Sequence, residues 1–224
     1  MKRNQQGFTL VEIAIVLVII GLLLGGILKG QEMITQAKIK NVIADFSGIS
    51  AAYYGYQDRY RAIPGDDANA GTRWTTPTVA TAGDGNGVVA GTYNAACAAA
   101  VVETCQWWDH LRRAGFVSGT GRSQPYNAAT GLLGVQTGDG AAVTGPTLGT
   151  VAAGTGGFSS LIVCSANLPD KIAIAVDTQI DDGVPIAGTV RGLLQAAPNP
   201  ATTNPADAAF VETGTNTYLL CRLL

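Results

Sequence analysis

An apolar run near the N-terminus, from Phe8 to Leu28, contains a single charged side chain, Glu12. As a helix rising about 1.5 Å per residue, a run of this length is roughly 31 Å long, close to the ~30 Å hydrocarbon thickness of a bilayer. A carboxylate inside such a segment costs about 2.5–3.5 kcal/mol on insertion scales, so its presence calls for a partner. A plain membrane anchor that tolerates one charge is the simpler interpretation. The alternative is that Glu12 pairs with a cation created when the chain is cut upstream.

The residues before the run favour the second interpretation. A secretory signal peptide is cut after its apolar core, so the mature protein loses that core. Here the basic residues Lys2 and Arg3 are followed by Gly7, and the apolar run comes after that glycine. A cut after Gly7 would keep the helix in the mature chain and create an α-amino cation on Phe8, four residues before Glu12. Two such groups can lie on one face of a helix, or they can pair between neighbouring helices.

The segment Gly7-Phe8-Thr9-Leu10-Val11-Glu12 resembles the cleavage and methylation motif of type IV pilins and type II secretion pseudopilins. Glycine precedes the cut, phenylalanine follows it, and glutamate is the fifth residue of the mature chain. By this resemblance, a membrane-embedded prepilin peptidase cuts after Gly7 and methylates the new amine of Phe8, which keeps its charge. The resemblance also implies that Thr9 and Glu12 act in assembly.

The helix is predicted to continue past the apolar run with only one buried face. Its apolar side chains then recur at three- and four-residue intervals. They are Ile39, Val42, Ile43, Phe46, Ile49, Tyr53, Tyr56 and Tyr60. Ile63-Pro64-Gly65 ends the helix, because proline disfavours helical geometry in the residue before it. The predicted domains are a removed leader at 1–7, a helix at 8–61 whose segment 8–28 spans the membrane, and a globular head at 62–224.

The head is predicted to contain an antiparallel sheet packed on the second half of the helix. Strand patterns occur at Phe158–Cys164, Lys171–Asp177 and Thr217–Leu224, with a further candidate around Gly188–Leu194. A short helix is predicted at Trp107–Gly115. The fold class is therefore α+β, with a long N-terminal helix on a C-terminal antiparallel sheet. This is also the pilin architecture that the resemblance implies.

Composition limits the functions open to the chain. The stretch from Gly119 to Gly157 is rich in glycine, threonine and alanine and is predicted to form long surface loops with short strands. With 14 basic and 16 acidic residues, the chain has no polybasic footprint for nucleic acid. It has no GxSxG, HExxH or phosphate-binding glycine loop, and His110 is its single histidine. His110 is interpreted as a packing or hydrogen-bonding residue, and no catalytic site is predicted.

Four cysteines stand in the predicted head, which after export faces an oxidising compartment. Four cysteines allow three pairings. The favoured pairing joins Cys97 to Cys105 as a local loop and Cys164 to Cys221 as a tie between late strands. Zinc is the competing interpretation, but the spacing does not suit paired zinc ligands and there is one histidine.

Two acidic clusters are candidates for calcium. Asp84 and Asn86 lie in a glycine-rich stretch that resembles the start of a calcium loop, but the later ligands of such a loop are missing. Asp181 and Asp182, together with Asp177, form the second cluster. Turn formation explains both clusters without an ion. No cofactor is therefore assigned, and calcium stays the open alternative.

The sequence thus predicts a structural subunit of a type IV pilus filament that polymerises through its N-terminal helix after cleavage and serves adhesion, motility or DNA uptake. The alternatives are a pseudopilin of a type II secretion system, a minor pilin, and a non-polymerising module on the same anchor. The resemblance implies identical subunits, a prepilin peptidase/methyltransferase and an inner-membrane assembly platform as partners. It also implies a single-pass precursor in the bacterial inner membrane and then an extracellular filament.

Overall fold

The computed structural model describes residues 9–98, 101–138, 148, 156–202 and 209–224. Helices and strands within these ranges follow one another as α1 (Leu10–Tyr60), α2 (Ala70–Arg73), α3 (Glu103–Arg113), β1 (Leu133–Thr137), β2 (Leu161–Pro169), α4 (Asp170–Ile180), β3 (Val190–Leu194) and β4 (Thr217–Leu223). The chain divides into two compact units, Met1–Lys38 and Ile39–Leu224. Helix α1 therefore contributes residues to both units.

In the first unit, α1 is apolar on every side from Leu10 to Leu28, apart from Glu12. The large apolar side chains between Leu10 and Leu28 are 46–87% exposed. The most apolar window of α1 has a mean hydropathy of 2.8, and α1 is long and apolar enough to cross a membrane. A helix that is apolar all round needs lipid or other protein around it. The apolar stretch ends at an exposed ion pair, in which Lys29 Nζ donates to Glu32 Oε2 at 2.8 Å.

In the second unit, α1 buries one face only. The buried residues recur at intervals of three and four, which is the spacing of one side of a helix. They are Ile39, Val42, Phe46, Ile49, Ala52, Tyr53 and Tyr56. The helix ends at Tyr60 because Arg61 takes a left-handed backbone conformation, with φ 54°, and Pro64 follows shortly afterwards.

The four strands form one antiparallel sheet in the order β1-β2-β4-β3. Strands β2 and β4 are its two inner strands and pair with Cys164 opposite Cys221. The β2–β4 register shifts between Ser165 and Leu168, where Asn167 has a φ of 56°. This bulge bends β2 shortly before α4 begins.

Buried side chains cover both faces of the sheet. Along β2, Val163 belongs to one apolar cluster and the next residue, Cys164, to the other, as expected when neighbouring side chains point to opposite faces. The first cluster includes side chains of α1, α3 and α4, such as Phe46, Trp107 and Ile172. The second cluster contains Tyr93, Leu148, Phe158, Ile162, Leu193 and Leu219. The sheet is thus the middle layer of the head.

The predicted fold class is confirmed, but one predicted strand is wrong. Lys171–Asp177 is part of helix α4, which begins at Asp170 directly after β2. Its apolar residues alternate in a way that suits a strand, but the buried ones have helical spacing. The buried residues of α4 are Asp170, Ile172, Ala173, Val176 and Asp177. Whether this segment forms a strand or a helix is decided by its packing in the folded head, which the local sequence pattern does not reveal.

Other boundaries differ from the predicted ones by a few residues. Strand β2 begins at Leu161, not Phe158, and continues to Pro169. Helix α3 begins at Glu103, four residues before the predicted start, and Gly115 follows it with a φ of 81°. Strand β1 lies within the stretch predicted to form loops with short strands. Part of that stretch, including 149–155, lies outside the described residues.

Candidate functional site

The start of α1 holds two of the predicted assembly residues, Thr9 and Glu12. Glu12 Oε2 accepts hydrogen bonds from the Thr9 backbone N–H at 2.8 Å and from Thr9 Oγ1 at 2.7 Å. The Glu12 backbone N–H donates to Thr9 Oγ1 at 3.3 Å. This reciprocal arrangement is a capping box, which satisfies N–H groups that have no partner within the helix. Gly7 and Phe8, the predicted cleavage and methylation sites, lie outside the described residues.

The capping box has a signature that sequence reasoning missed. A threonine followed three residues later by a glutamate, immediately before an apolar run, is the pattern of a helix N-terminus. It gives Glu12 a second role within its own chain. The carboxylate is therefore held at the N-terminal end of α1, and its Oε1 atom accepts no hydrogen bond from the described residues.

The turn after α1 is held by a buried carboxylate, Asp67. It is 1% exposed and accepts hydrogen bonds from Tyr56 Oη at 2.6 Å, from the Asn69 backbone N–H at 2.9 Å and from the Arg73 guanidinium. Burial alone would raise the pKa of Asp67, but the hydrogen bonds from Tyr56, Arg73 and Asn69 outweigh it and lower the pKa. Burial and the bond to Asp67 raise the pKa of Tyr56. Asp67 thus ties the chain after α1 back to the helix.

Asp66, the preceding residue, organises the glycine-rich loop at 83–87. It is 4% exposed, and its carboxylate accepts backbone N–H groups of Gly85 at 2.7 Å, Asn86 at 3.0 Å and Gly87 at 2.8 Å. Asp67 makes one bond of the kind that a local turn uses, to the Asn69 N–H, besides those to Tyr56 and Arg73. The amide partners of Asp66 lie 19–21 residues further along the chain, which no local pattern indicates.

The calcium candidates Asp84 and Asn86 lie in the same loop. The carboxylates of Asp66, Asp84 and Glu103 come within 4.8 Å of one another. However, Glu103 accepts the Asp84 backbone N–H at 3.0 Å and the Ala90 backbone N–H at 2.9 Å, and Asp84 Oδ2 accepts Asn86 Nδ2 at 2.7 Å. Backbone amides donate to both oxygens of Asp66 and to both oxygens of Glu103, so each of these buried oxygens has a hydrogen-bond partner within the head.

The second pair of calcium candidates, Asp181 and Asp182, follows α4 directly. Asp181 Oδ2 accepts Val190 N–H at 2.9 Å and also the backbone N–H of Thr189. Asp182 Oδ1 accepts Val184 N–H at 2.8 Å. The carboxylates of both residues lie within 4.8 Å of that of Asp177. The structure therefore brings these three acidic side chains together at the C-terminal end of α4.

His110 is fully buried, and both its ring nitrogens bond to backbone groups. Nδ1 accepts the Gly65 N–H at 2.9 Å, so Nε2 carries the proton and donates to the Thr81 carbonyl oxygen at 2.8 Å. Burial lowers the pKa of His110. Neither nitrogen is left to act as a general base, because each already holds a loop in place.

We expect His110 to stay neutral in the folded protein below the ordinary histidine pKa of about 6.5. The unfolded chain takes up a proton near that pH and the folded chain does not, so the free energy of unfolding should fall as pH drops below about 6.5. Since His110 is the single histidine, NMR of histidine-labelled protein in detergent micelles gives one titration curve. A midpoint below 6.5 is the expected result, and a midpoint at or above 6.5 would contradict the assignment of the two hydrogen bonds.

The structure joins Cys97 to Cys105 and Cys164 to Cys221. The first bond links the loop before α3 to its first turn. The second crosses between the inner strands β2 and β4, at a position where the two residues stand directly opposite each other. All four cysteines are buried. The two bonds are the pairs favoured from the sequence.

An open cleft of about 350 Å³ lies beside α3. Its charged lining residues are Asp109, Arg112 and Arg113. Arg113 Nε donates to Asp109 Oδ2 at 2.7 Å, and Arg112 Nη1 donates to the Gly121 carbonyl oxygen at 2.8 Å. These guanidinium groups hold neighbouring loops, and their contacts are structural.

A comparison with protein families matches residues 2–28 to the model described as the prokaryotic N-terminal methylation motif. The matched range includes the Gly7-Phe8 pair and Glu12. The prepilin-type N-terminus predicted from these residues is thereby confirmed. This motif is the feature that the chain shares with prepilin-type proteins, and the apolar helix α1 begins within it.

Among solved structures, the chain is similar to the major type IV pilin PilA1 from Clostridium difficile. The two share 12% sequence identity, the alignment covers 84% of this chain and 96% of that chain, and the TM-score is 0.35. These values are too low to transfer a function. No curated protein matches the chain.

Proposed function

We propose that the chain is a structural subunit of a type IV pilus filament, cut after Gly7, methylated on Phe8 and polymerised through α1. The observation that carries the proposal is the Glu12 carboxylate, which stands in an otherwise apolar segment exposed on every side. Among the described residues no basic side chain pairs with it, and Thr9 supplies its hydrogen bonds. A charge in that setting calls for a cation as its partner.

The cut after Gly7 supplies such a cation. The new α-amine of Phe8 keeps its charge on methylation, and in a bundle of α1 helices it can pair with Glu12 of a neighbouring subunit. The capping box fixes the Glu12 carboxylate at the helix end where that amine arrives. The apolar residues from Leu10 to Leu28 then exchange contact with lipid for contact with neighbouring α1 helices. Uniform apolar surfaces do not fix how far one helix is shifted along another, and the pair of Phe8 amine and Glu12 carboxylate fixes that shift.

The proposed role is structural and requires no chemistry from the head. The precursor is proposed to sit in the bacterial inner membrane, where the prepilin peptidase and an assembly platform act on it. The mature subunit is proposed to be extracellular, with its loops facing outward for adhesion, motility or DNA uptake. A secretion pseudopilin or a minor pilin would use the same N-terminus, and the abundance and location of the processed chain separate these roles.

The test is to shear cells that express the chain and to analyse the released protein by intact mass spectrometry. A sheared fraction composed mainly of a chain that begins at methylated Phe8 is the expected result. A Gly7→Asp strain is the control: we expect a charged side chain at the cut to block processing, so that the full-length chain stays in the membrane. Processed protein found only in the membrane fraction of the unmodified strain would overturn the proposal and favour a pseudopilin or a minor subunit.

A further inference from the structure

Asp177, in the last turns of α4, is a fully buried carboxylate whose two oxygens have no hydrogen-bond partner among the described residues. Buried polar groups in proteins are almost always hydrogen-bonded, and an unpaired buried charge is strongly destabilising. Asp66, Asp67 and Asp170 are also buried carboxylates of this head, and each accepts backbone N–H groups. Asp177 therefore differs from every one of these three and calls for a partner.

Two further carboxylates close to Asp177 make its negative charge less favourable. Asp181 and Asp182 bring carboxylate oxygens to within 4.8 Å of it and of each other. Burial, together with the charges of Asp181 and Asp182, raises the pKa of Asp177 to about 7. Among the described residues, no basic group forms an ion pair with any of the three. Arg191, which follows the Asp181 partner Val190 in β3, donates instead to the Leu148 and Gly156 carbonyl oxygens.

Helix α4 adds to the negative potential at this place. Its C-terminal end carries the negative partial charge of the helix dipole, where cations are favoured and anions are not. The last turn of α4 contains no basic residue, and Asp181 is its C-cap. Three carboxylates at the negative end of a helix are therefore unfavourable unless a cation joins them.

The loop between α4 and β3 fixes two of the three carboxylates without using all of their oxygens. The bonds to Thr189 and Val190 involve Asp181 Oδ2, and the bond to Val184 involves Asp182 Oδ1. The other oxygen of each accepts no hydrogen bond from the described residues. Gly188 has a φ of 70°, and a Cβ atom there would come within 2.0 Å of Asp181 Oδ2. Only glycine lets this loop close around the Asp181 carboxylate.

We propose that Asp177, Asp181 and Asp182 bind a calcium ion. The unpartnered oxygens of all three residues supply the carboxylate ligands, and backbone carbonyls or water complete the six to eight oxygen ligands that calcium takes. Magnesium suits the site less, because it demands regular octahedral geometry and keeps most of its water. The ion joins the end of α4 to the loop before β3. The cluster of Asp66, Asp84 and Glu103 serves as the contrast, since backbone amides already satisfy it.

The test measures the midpoint of thermal unfolding, Tm, of the full chain in detergent micelles, first with EDTA and then with added calcium chloride. At calcium about 100-fold above Kd, we expect Tm of the unmodified chain to rise by about 5–10 °C. Asp177→Asn removes the charge with little change of shape, so it should abolish the rise and leave Tm in EDTA at or above that of the unmodified chain. Asp84→Asn, in the contrasting cluster, should keep the full rise.

Asp182→Asn is the second variant, because Asp182 is exposed and its replacement leaves the folded core untouched. In this variant, the calcium concentration that gives half of the full rise in Tm should be at least about ten times higher than in the unmodified chain. No rise of Tm in the unmodified chain at calcium ten times the roughly 10⁻³ M typical of extracellular modules would overturn the proposal. So would a rise that both Asp177→Asn and Asp182→Asn retain, or one that Asp84→Asn loses. None of these outcomes depends on filament assembly.

Discussion

Replacing Glu12 with alanine is expected to abolish filaments while the chain is still inserted, processed and folded. Truncating one partner of a desolvated, hydrogen-bonded charge pair costs about 2–5 kcal/mol, which lowers an association constant by a factor of about 30 to several thousand. In a filament every subunit contact repeats that loss. The measurement is the amount of chain in the sheared fraction, with the membrane fraction of the same cells showing that the variant was made and processed.

Glu12→Gln is the matched control that separates the two roles of this side chain. Glutamine at the same position still completes a capping box with Thr9, because its amide oxygen accepts the same hydrogen bonds. Glutamine is uncharged, so it cannot form an ion pair with the α-amine of Phe8. We therefore expect the glutamine variant to lose filaments as the alanine variant does. If Glu12→Gln cells shed normal filaments, capping and not charge pairing is the function of Glu12.

Removing the Cys164–Cys221 disulfide by a double replacement with alanine is expected to lower the free energy of unfolding by about 4 kcal/mol. The bond closes a loop with a sequence separation of 57. Without the bond, the unfolded chain regains the conformational entropy that closing this loop had removed. Urea unfolding of the full chain in detergent, followed by the fluorescence of the buried Trp107 and Trp108, measures the change. The loss should appear as a lower midpoint.

The other disulfide gives an internal comparison. Cys97 and Cys105 are separated by 8 residues, so alanine at both positions should cost about 2.5 kcal/mol on the same loop-closure argument. Both bonds are buried, so the loss of packed sulfur is similar in the two variants. A Cys97–Cys105 variant that is destabilised more than the Cys164–Cys221 variant would contradict loop length as the deciding term.

The sequence predicted those parts of the fold that depend on local patterns. The apolar run from Phe8 and the amphipathic stripe after it specify α1, and Pro64 marks where it has to end. The β-branched and apolar run at Thr217–Leu224 specifies β4 within one residue. In each case one periodicity dominates, and no alternative element competes for the same residues.

The sequence could not predict features that depend on contacts between distant residues. The alternating apolar residues of 171–177 favour a strand, and only packing in the folded head shows that the segment is a helix. Asp66 precedes its amide partners at 85–87 by about twenty residues, so nothing near it in sequence reveals its burial. Asp177 was visible only as part of an acidic group, and its lack of a partner is a property of the folded head.

The position of β4 in the sheet also determines when the head can form. β4 is the last of the four strands along the chain, yet it lies between β2 and β3. Translation adds about 5–20 residues per second from the N-terminus, so α1 is complete long before the strand that holds the sheet together. Among the strands that the structure describes, β3 pairs only with β4, and the Cys164–Cys221 bond cannot form before Cys221 has been synthesised. A chain that stops before Thr217 therefore lacks the inner strand that joins β2 to β3 and the cysteine that pairs with Cys164.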